Sequence, residues 1–265
     1  MPSVIELQDL AVAIAQEAGE LARLRRAEGV AIAATKSALA DIVTHADHEV
    51  EALIRRRLSE ARPDDGFLGE ESGVEAGTSG VTWIVDPIDG TVNYAYGVPT
   101  YAVSIAAVAG EPDPATWDAL AGVVYNPPSH ELFRAARGEG AWLDGLRLAV
   151  VSEPPTAGAL LATGFGYNAE THVGDLARVE RVMPIARDLR RAGAAALDFA
   201  YVAAGRYDGY FERGLSPWDH AAGALLVREA GGLVGGYDDV DPFGRHLFVA
   251  AGPALFEPLL ERARG

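Results

Sequence analysis

Residues 81–85, Val-Thr-Trp-Ile-Val, form a β-favouring, largely apolar run that halts at Asp86-Pro87. Such a run reads as a buried strand. Proline pushes the residue before it into extended geometry, so Asp86 is expected at the strand's end. Around this strand the chain alternates between helical and strand patterns. Ile5, Leu7, Leu10, Ile14, Leu21 and Leu24 recur at helical spacing. A second helix is predicted from about Asp47, with Val50, Leu53, Ile54 and Leu58 on one face. Phe67-Leu68 reads as a short strand, and others are expected at 101–108, 120–125, 131–136 and 159–163. Helices are predicted over 192–204 and 219–230, the second closed by Gly231-Gly232. Two strands follow, around Leu233 and at 247–251, and a last helix starts at Ala254. The mixture predicts an α/β protein of stacked sheet and helix layers. A subdomain boundary is expected near Gly145, dividing the chain into residues 1–145 and 146–265.

With 265 residues, 49% of them hydrophobic, the chain can bury a sizeable core. Its formal net charge is −16. A surface that acidic repels nucleic-acid backbones and anionic membranes, so neither is an expected partner. A phosphate-bearing ligand would meet the same repulsion unless bound divalent cations supplied local positive charge. The absence of cysteine excludes disulfides, thiolate nucleophiles and cysteine-ligated zinc. Glu6 and Asp9 stand where a signal peptide would be basic, and no apolar run approaches spanning length, so a cytoplasmic protein is expected.

Chemistry concentrates in three segments. The first is Asp86-Pro87-Ile88-Asp89-Gly90-Thr91, where two carboxylates on a turn after a strand can face one hard cation or bridge two. A helix starting at Gly90-Thr91 would aim free N–H groups at a phosphate. The second is Glu70-Glu71, which follows a short apolar run and a glycine. The third is Pro217-Trp218-Asp219-His220, where the late helix begins. Each has an ordinary reading as a turn, a solvated acidic face or a helix cap. The histidines show no ligand spacing of the kind zinc favours, although His220 adjoins Asp219. Arg190-Arg191 reads as a helix-surface pair or subunit contact rather than an anion patch.

Taken in order, Asp47, Glu70-Glu71, Asp86 to Thr91 and Trp218-Asp219 resemble the pattern of the inositol monophosphatase family. That family comprises lithium-sensitive, magnesium-dependent phosphatases. The likeness extends to 41–47, Gly97-Val98-Pro99, 131–141, 193–205 and 229–232, and so covers about residues 5–260. It implies the αβαβα layered sandwich shared with fructose-1,6-bisphosphatases, and a homodimer. It also implies two to three Mg2+ ions. Glu70, Asp86 and the Ile88 carbonyl would hold the first. Asp86 would bridge to a second, completed by Asp89 and Asp219, and a weaker third would rest on Glu70 and water. Thr91, paired with Asp47, would orient and deprotonate the attacking water, with Glu71 supporting the water network. Phosphate oxygens would meet the N–H groups of Gly90 and Thr91. Gly193 and Ala195 would line the alcohol pocket, with Asp89 and Glu212 accepting hydroxyl hydrogen bonds, and Lys36 matches a family lysine near the site.

The activity implied is hydrolysis of the phosphate monoester inositol 1-phosphate and related polyol or sugar phosphates. Histidinol-phosphate, fructose-1,6-bisphosphate and nucleotide 3′-phosphate hydrolysis are alternatives on the same fold. A non-catalytic metal-binding regulatory partner is the alternative from another class. Segments 167–175 and 238–245 match no family motif.

Overall fold

A computed structural model describes residues 3–30, 32–35, 42–114 and 116–264. Lys36 and Asp41 lie outside the described residues. The helices are α1 (Val4–Glu28), α2 (His45–Ala61), α3 (Thr91–Tyr96), α4 (His172–Val182), α5 (Ala195–Ala203), α6 (Pro217–Glu229) and α7 (Pro253–Arg264). The first strands are β1 (Ile32–Thr35), β2 (Ile42–Thr44), β3 (Gly66–Gly69), β4 (Gly73–Glu75) and β5 (Val81–Asp89). Then come β6 (Ala102–Ala109), β7 (Asp118–Asn126), β8 (Glu131–Ala136), β9 (Gly140–Leu143) and β10 (Leu146–Arg147). The rest are β11 (Ala159–Thr163), β12 (Ala186–Arg190), β13 (Gly209–Arg213), β14 (Leu233–Gly235) and β15 (Leu247–Ala251).

An eight-stranded mixed sheet runs β10-β9-β8-β7-β6-β5-β3-β4, antiparallel except where β3 lies parallel to β5. A five-stranded mixed sheet runs β12-β11-β13-β15-β14, with β11 parallel to both neighbours. Period-two alternation explains how the first sheet carries helices on both faces. Along β6, Val103, Ile105 and Ala107 pack with Ala11, Ile14, Val50 and Ile54 of α1 and α2. Ala102, Ala106 and Val108 point the other way, into a core shared with Phe199 of α5, Leu226 of α6 and Tyr210 and Phe248 of the second sheet. Beyond that sheet, Phe211 and Val249 pack on Leu255 and Leu259 of α7. Helix α4 packs on α7. The layers are therefore α1/α2, eight strands, α5/α6, five strands, α4/α7, an αβαβα sandwich.

Strand β5 corrects the expectation that it ends at Asp86. It runs on to Asp89 through an irregularity: Asp86 pairs with Ser104 and Asp89 with Ala102, so three steps on one strand oppose two on the other. This is a β-bulge, which tolerates Pro87 because a bulged residue need not donate to the ladder. Its consequence is a change of face. Ile84 packs in the core between the sheets, whereas Ile88, of the same parity, packs against α1 and α2. In a regular strand residues three apart point to opposite faces. The extra residue turns Asp89 to the side Asp86 occupies.

Two other expectations shift. Helix α5 begins at Ala195 rather than 192, because Gly193 has φ 85° and Ala194 is extended. Asp219 is not the cap of α6. Ser216 is the N-cap, and Asp219 sits at the third helical position, its Oδ2 accepting from the Ser216 N–H at 2.7 Å.

Candidate active site

Asp47 holds the same station on α2 that Asp219 holds on α6. Its Oδ2 accepts from the N–H of Thr44 at 2.7 Å and from the Thr44 hydroxyl at 2.5 Å, leaving Oδ1 to face Thr91. The Thr91 hydroxyl lies 3.4 Å from that Oδ1 and 3.2 Å from the Ile88 carbonyl oxygen. Thr91 opens α3, and its N-cap Gly90 has φ 91°. A Cβ there would come within 3.0 Å of the Thr100 carbonyl oxygen and 3.1 Å of the Gly193 carbonyl oxygen. Glycine is thus required for both its backbone angle and its clearance.

One carboxylate oxygen from each of Asp86, Asp89 and Asp219 lies within 4.8 Å of the other two. No Arg or Lys among the described residues forms an ion pair with them. Burial, followed by the charges of Glu70, Asp89 and Asp219, pushes Asp86 well above the usual carboxylate range. Burial, then Asp89 and Glu70, does the same to Asp219. Asp89 is pushed up to about 7, chiefly by burial, against the N–H donors of Ala196 (2.8 Å) and Ala195 (3.2 Å) at the start of α5. Burial raises Asp47 to about 6, partly offset by Thr44. Crowded acids that no described Arg or Lys pairs with are suited to an external cation. An all-oxygen donor set fits a hard divalent ion such as Mg2+ or Mn2+ rather than zinc.

These acids line a cleft of about 320 Å3. On the same cleft lie Glu70, Ile88, Gly90, Thr91, Gly193, Ala195 and Glu212. Asp47 stands behind Thr91. Glu71, flanking Glu70, has its N–H bound by the Glu51 carboxylate at 2.8 Å, and its own carboxylate is 3.8 Å from Nδ1 of His48. Glu212 receives the Tyr210 hydroxyl at 2.5 Å, yet burial carries it to about 7.

Sequence reasoning missed other walls of the cleft. Gly164 to Tyr167 and Arg213 to Ser216 line it, as do Arg191 and Asp198. The reading of Arg190-Arg191 as a helix-surface pair is corrected: Arg190 ends β12 and pairs with Asp188, while Arg191 faces the cleft and its charge draws Glu212 down. Asp198 left a signal, as the one charged residue of α5. His220 has a structural setting. It is buried among Trp117, Tyr237 and Phe248, and burial drives its pKa down to about 3, so its imidazole is neutral.

Residues 4–263 match the model of the inositol monophosphatase family. Nus factor SuhB of Escherichia coli (strain K12) is 41% identical over 97% of this chain and 95% of its own. An inositol-1-monophosphatase of Mesorhizobium japonicum is 45% identical over 76% of each chain. The crystal structure of extragenic suppressor protein suhB from Bartonella henselae superposes with a TM-score of 0.88 at 37% identity, covering 97% of this chain and 98% of that one. The bulged acidic strand, the five layers and these likenesses agree: the chain belongs to the inositol monophosphatase family.

Proposed function

We propose that this protein is a Mg2+-dependent phosphomonoesterase acting on inositol 1-phosphate and related polyol phosphates. The observation that carries the reading is the convergence of Asp86, Asp89 and Asp219 on a cleft whose other wall presents Glu212. Glu70, Asp86 and the Ile88 carbonyl would hold one ion, and Asp86, Asp89 and Asp219 a second. When bound, the ions supply Lewis acidity: they shield the dianionic ester, acidify a water and stabilise the departing oxygen.

The protein groups would then act as follows. The Thr91 hydroxyl accepts a hydrogen bond from the attacking water and hands a proton towards Asp47, whose buried carboxyl is raised to about 6 and so holds a proton more readily than an ordinary Asp. Glu71 supports the water network beside them. Water oxygen bonds to phosphorus as the ester P–O bond breaks, and the alcohol leaves with a proton from solvent. The N–H groups of Gly90 and Thr91 face the phosphate oxygens. Gly193 and Ala195 flank the alcohol, while Glu212 and Asp89 accept its hydroxyl groups.

A second reading is favoured by the name of the Escherichia coli relative, Nus factor SuhB. On that reading the chain serves as a protein factor without needing phosphate release. For this reason the expectation of no nucleic-acid partner is not carried forward. Phosphate release from inositol 1-phosphate, histidinol phosphate and fructose 1,6-bisphosphate, with Mg2+ and with EDTA, separates the two. Chelation should abolish release. Release indifferent to EDTA rejects the metal-dependent reading, and no release from any ester leaves the factor role standing alone.

A further inference from the structure

Asp198 is a buried acid in the cleft wall that the proposed chemistry does not use. It lies on α5, is 1% exposed, and lines the cleft with Glu212 and Arg191. Its Oδ1 is buried without a hydrogen-bond partner among the described residues. A buried carboxyl oxygen left unpaired is destabilising, and an apolar residue would pack there without that penalty. Its neighbours on α5 show the alternative: Ala196, Leu197, Phe199 and Ala200 are buried and apolar. An acid kept in such a helix, facing a cleft, points to a ligand that completes it.

Resting on the phosphatase reading, we propose that Asp198 is a specificity-determining residue that hydrogen-bonds a donor group, hydroxyl or ammonium, on the alcohol portion of the substrate. It would act with Glu212, and phosphate esters of alcohols bearing no second donor would gain nothing from it. Burial, then the charges of Glu212 and Asp89, holds the Asp198 carboxyl well above its ordinary range, with Arg191 opposing. A protonated Asp198 both donates to and accepts from a hydroxyl, whereas an ammonium would draw it into its ionised form. The two donor types therefore respond differently to replacement by an amide.

The test uses the full chain with Mg2+, the variants Asp198→Ala and Asp198→Asn, and three esters: inositol 1-phosphate, histidinol phosphate and ethyl phosphate. Asp198→Ala should lower kcat/KM for a donor-bearing ester by about tenfold or more, mainly through KM. Ethyl phosphate hydrolysis should stay within about twofold. If the partner is a hydroxyl, the loss falls on inositol 1-phosphate and Asp198→Asn restores part of it. If it is an ammonium, the loss falls on histidinol phosphate and Asp198→Asn does not restore it. Equal losses on all three esters, or no loss on any, overturn the proposal. So does a lower unfolding midpoint of metal-free Asp198→Ala, which would mark a structural role; an unchanged or higher midpoint is expected. Should the wild type release phosphate from none of the esters, the phosphatase reading fails by itself. Calorimetric binding of inositol 1-phosphate and of histidinol phosphate then decides the role of Asp198. Weaker binding of either by Asp198→Ala sustains it, and equal binding, or none by the wild type, overturns it.

Discussion

Buried Asp86, Asp89 and Asp219 line the cleft while buried Asp175 stands behind its Gly166 wall, and the chain treats the two in opposite ways. Asp175, on α4, accepts from Arg178 at 3.0 Å and from both Nη atoms of Arg245 at 3.0 and 3.1 Å. Arg245 also binds Asp241, and Arg213 pairs with Asp239 nearby. Among the described residues, Asp86, Asp89 and Asp219 have no such arginines. Burial pushes Asp175 up as it does the others, but hydrogen bonds from Arg245 and Arg178 outweigh it and hold Asp175 below the ordinary carboxylate range. Asp86 and Asp219, buried and facing other carboxylates, are held above it. The contrast separates acids neutralised by the fold from acids that could hold a metal ion. Both are buried carboxylates near one cavity, so burial alone does not identify the functional group.

The contrast is most strongly tested at Asp175. Asp175→Ala should strand buried Arg178 and lose about 3–5 kcal/mol of stability in urea titrations, with turnover per folded molecule within a few-fold. A loss below about 1 kcal/mol would show that these arginines do not depend on it. Asp86→Asn should do the reverse. It should reduce phosphate release on the order of a hundredfold or more, while the unfolding midpoint of the metal-free protein does not fall. Near-normal turnover would remove Asp86 from the proposed metal site.

A smaller effect comes from the ion itself. At about one hundred times its Kd, Mg2+ should stabilise the wild type by about 2.7 kcal/mol. Asp86→Asn should lose that gain and Asp175→Ala should keep it; equal gains in both variants would place the ion elsewhere. A further effect is on pH dependence. Asp89 and Glu212 are raised to about 7 in the folded protein from ordinary values of 3.8 and 4.5. Between these limits the folded chain holds protons that the unfolded chain has released, so metal-free stability should fall as pH rises from 5 to 8. Asp175 has the opposite sign: its contribution is present above its unfolded pKa and is lost as the medium becomes more acidic than its folded pKa. Urea melts in EDTA at pH 5 and pH 8 measure the first slope, and greater stability at pH 8 would contradict it.

Much of the architecture was legible because burial leaves periodic traces. Strands β8, β11 and β15 fall where alternation and apolar runs put them, as do the cores of α1, α2 and α6. Strand β12 and helix α4 were not found. Ala186–Arg190 is Ala-Arg-Asp-Leu-Arg at a sheet edge, largely exposed and without an apolar face. Helix α4 carries exposed Val173 and Leu176 beside buried Asp175 and Arg178, which inverts the usual pattern. A pattern-based reading fails where an ion-pair network does the work of a core.

The candidate site divides in the same way. Its acidic half is local: Asp86 and Asp89 share one strand, Glu70 follows the neighbouring strand, and side-chain type and spacing mark them in the chain. Arg191 and Asp198 took their place in the cleft only when β11, α5 and β13 were brought around it, since their meaning lies in what faces them. The amino-acid sequence by itself determined the layers, the family resemblance and the identity of the acids, because these are written in periodicity and short motifs. Tertiary structure decided that Asp86 and Asp89 share a face, since the bulge exists only in the pairing of β5 with β6. It also decided which buried carboxylates arginines neutralise and which face other carboxylates instead, because that depends on arginines brought from distant segments of the chain.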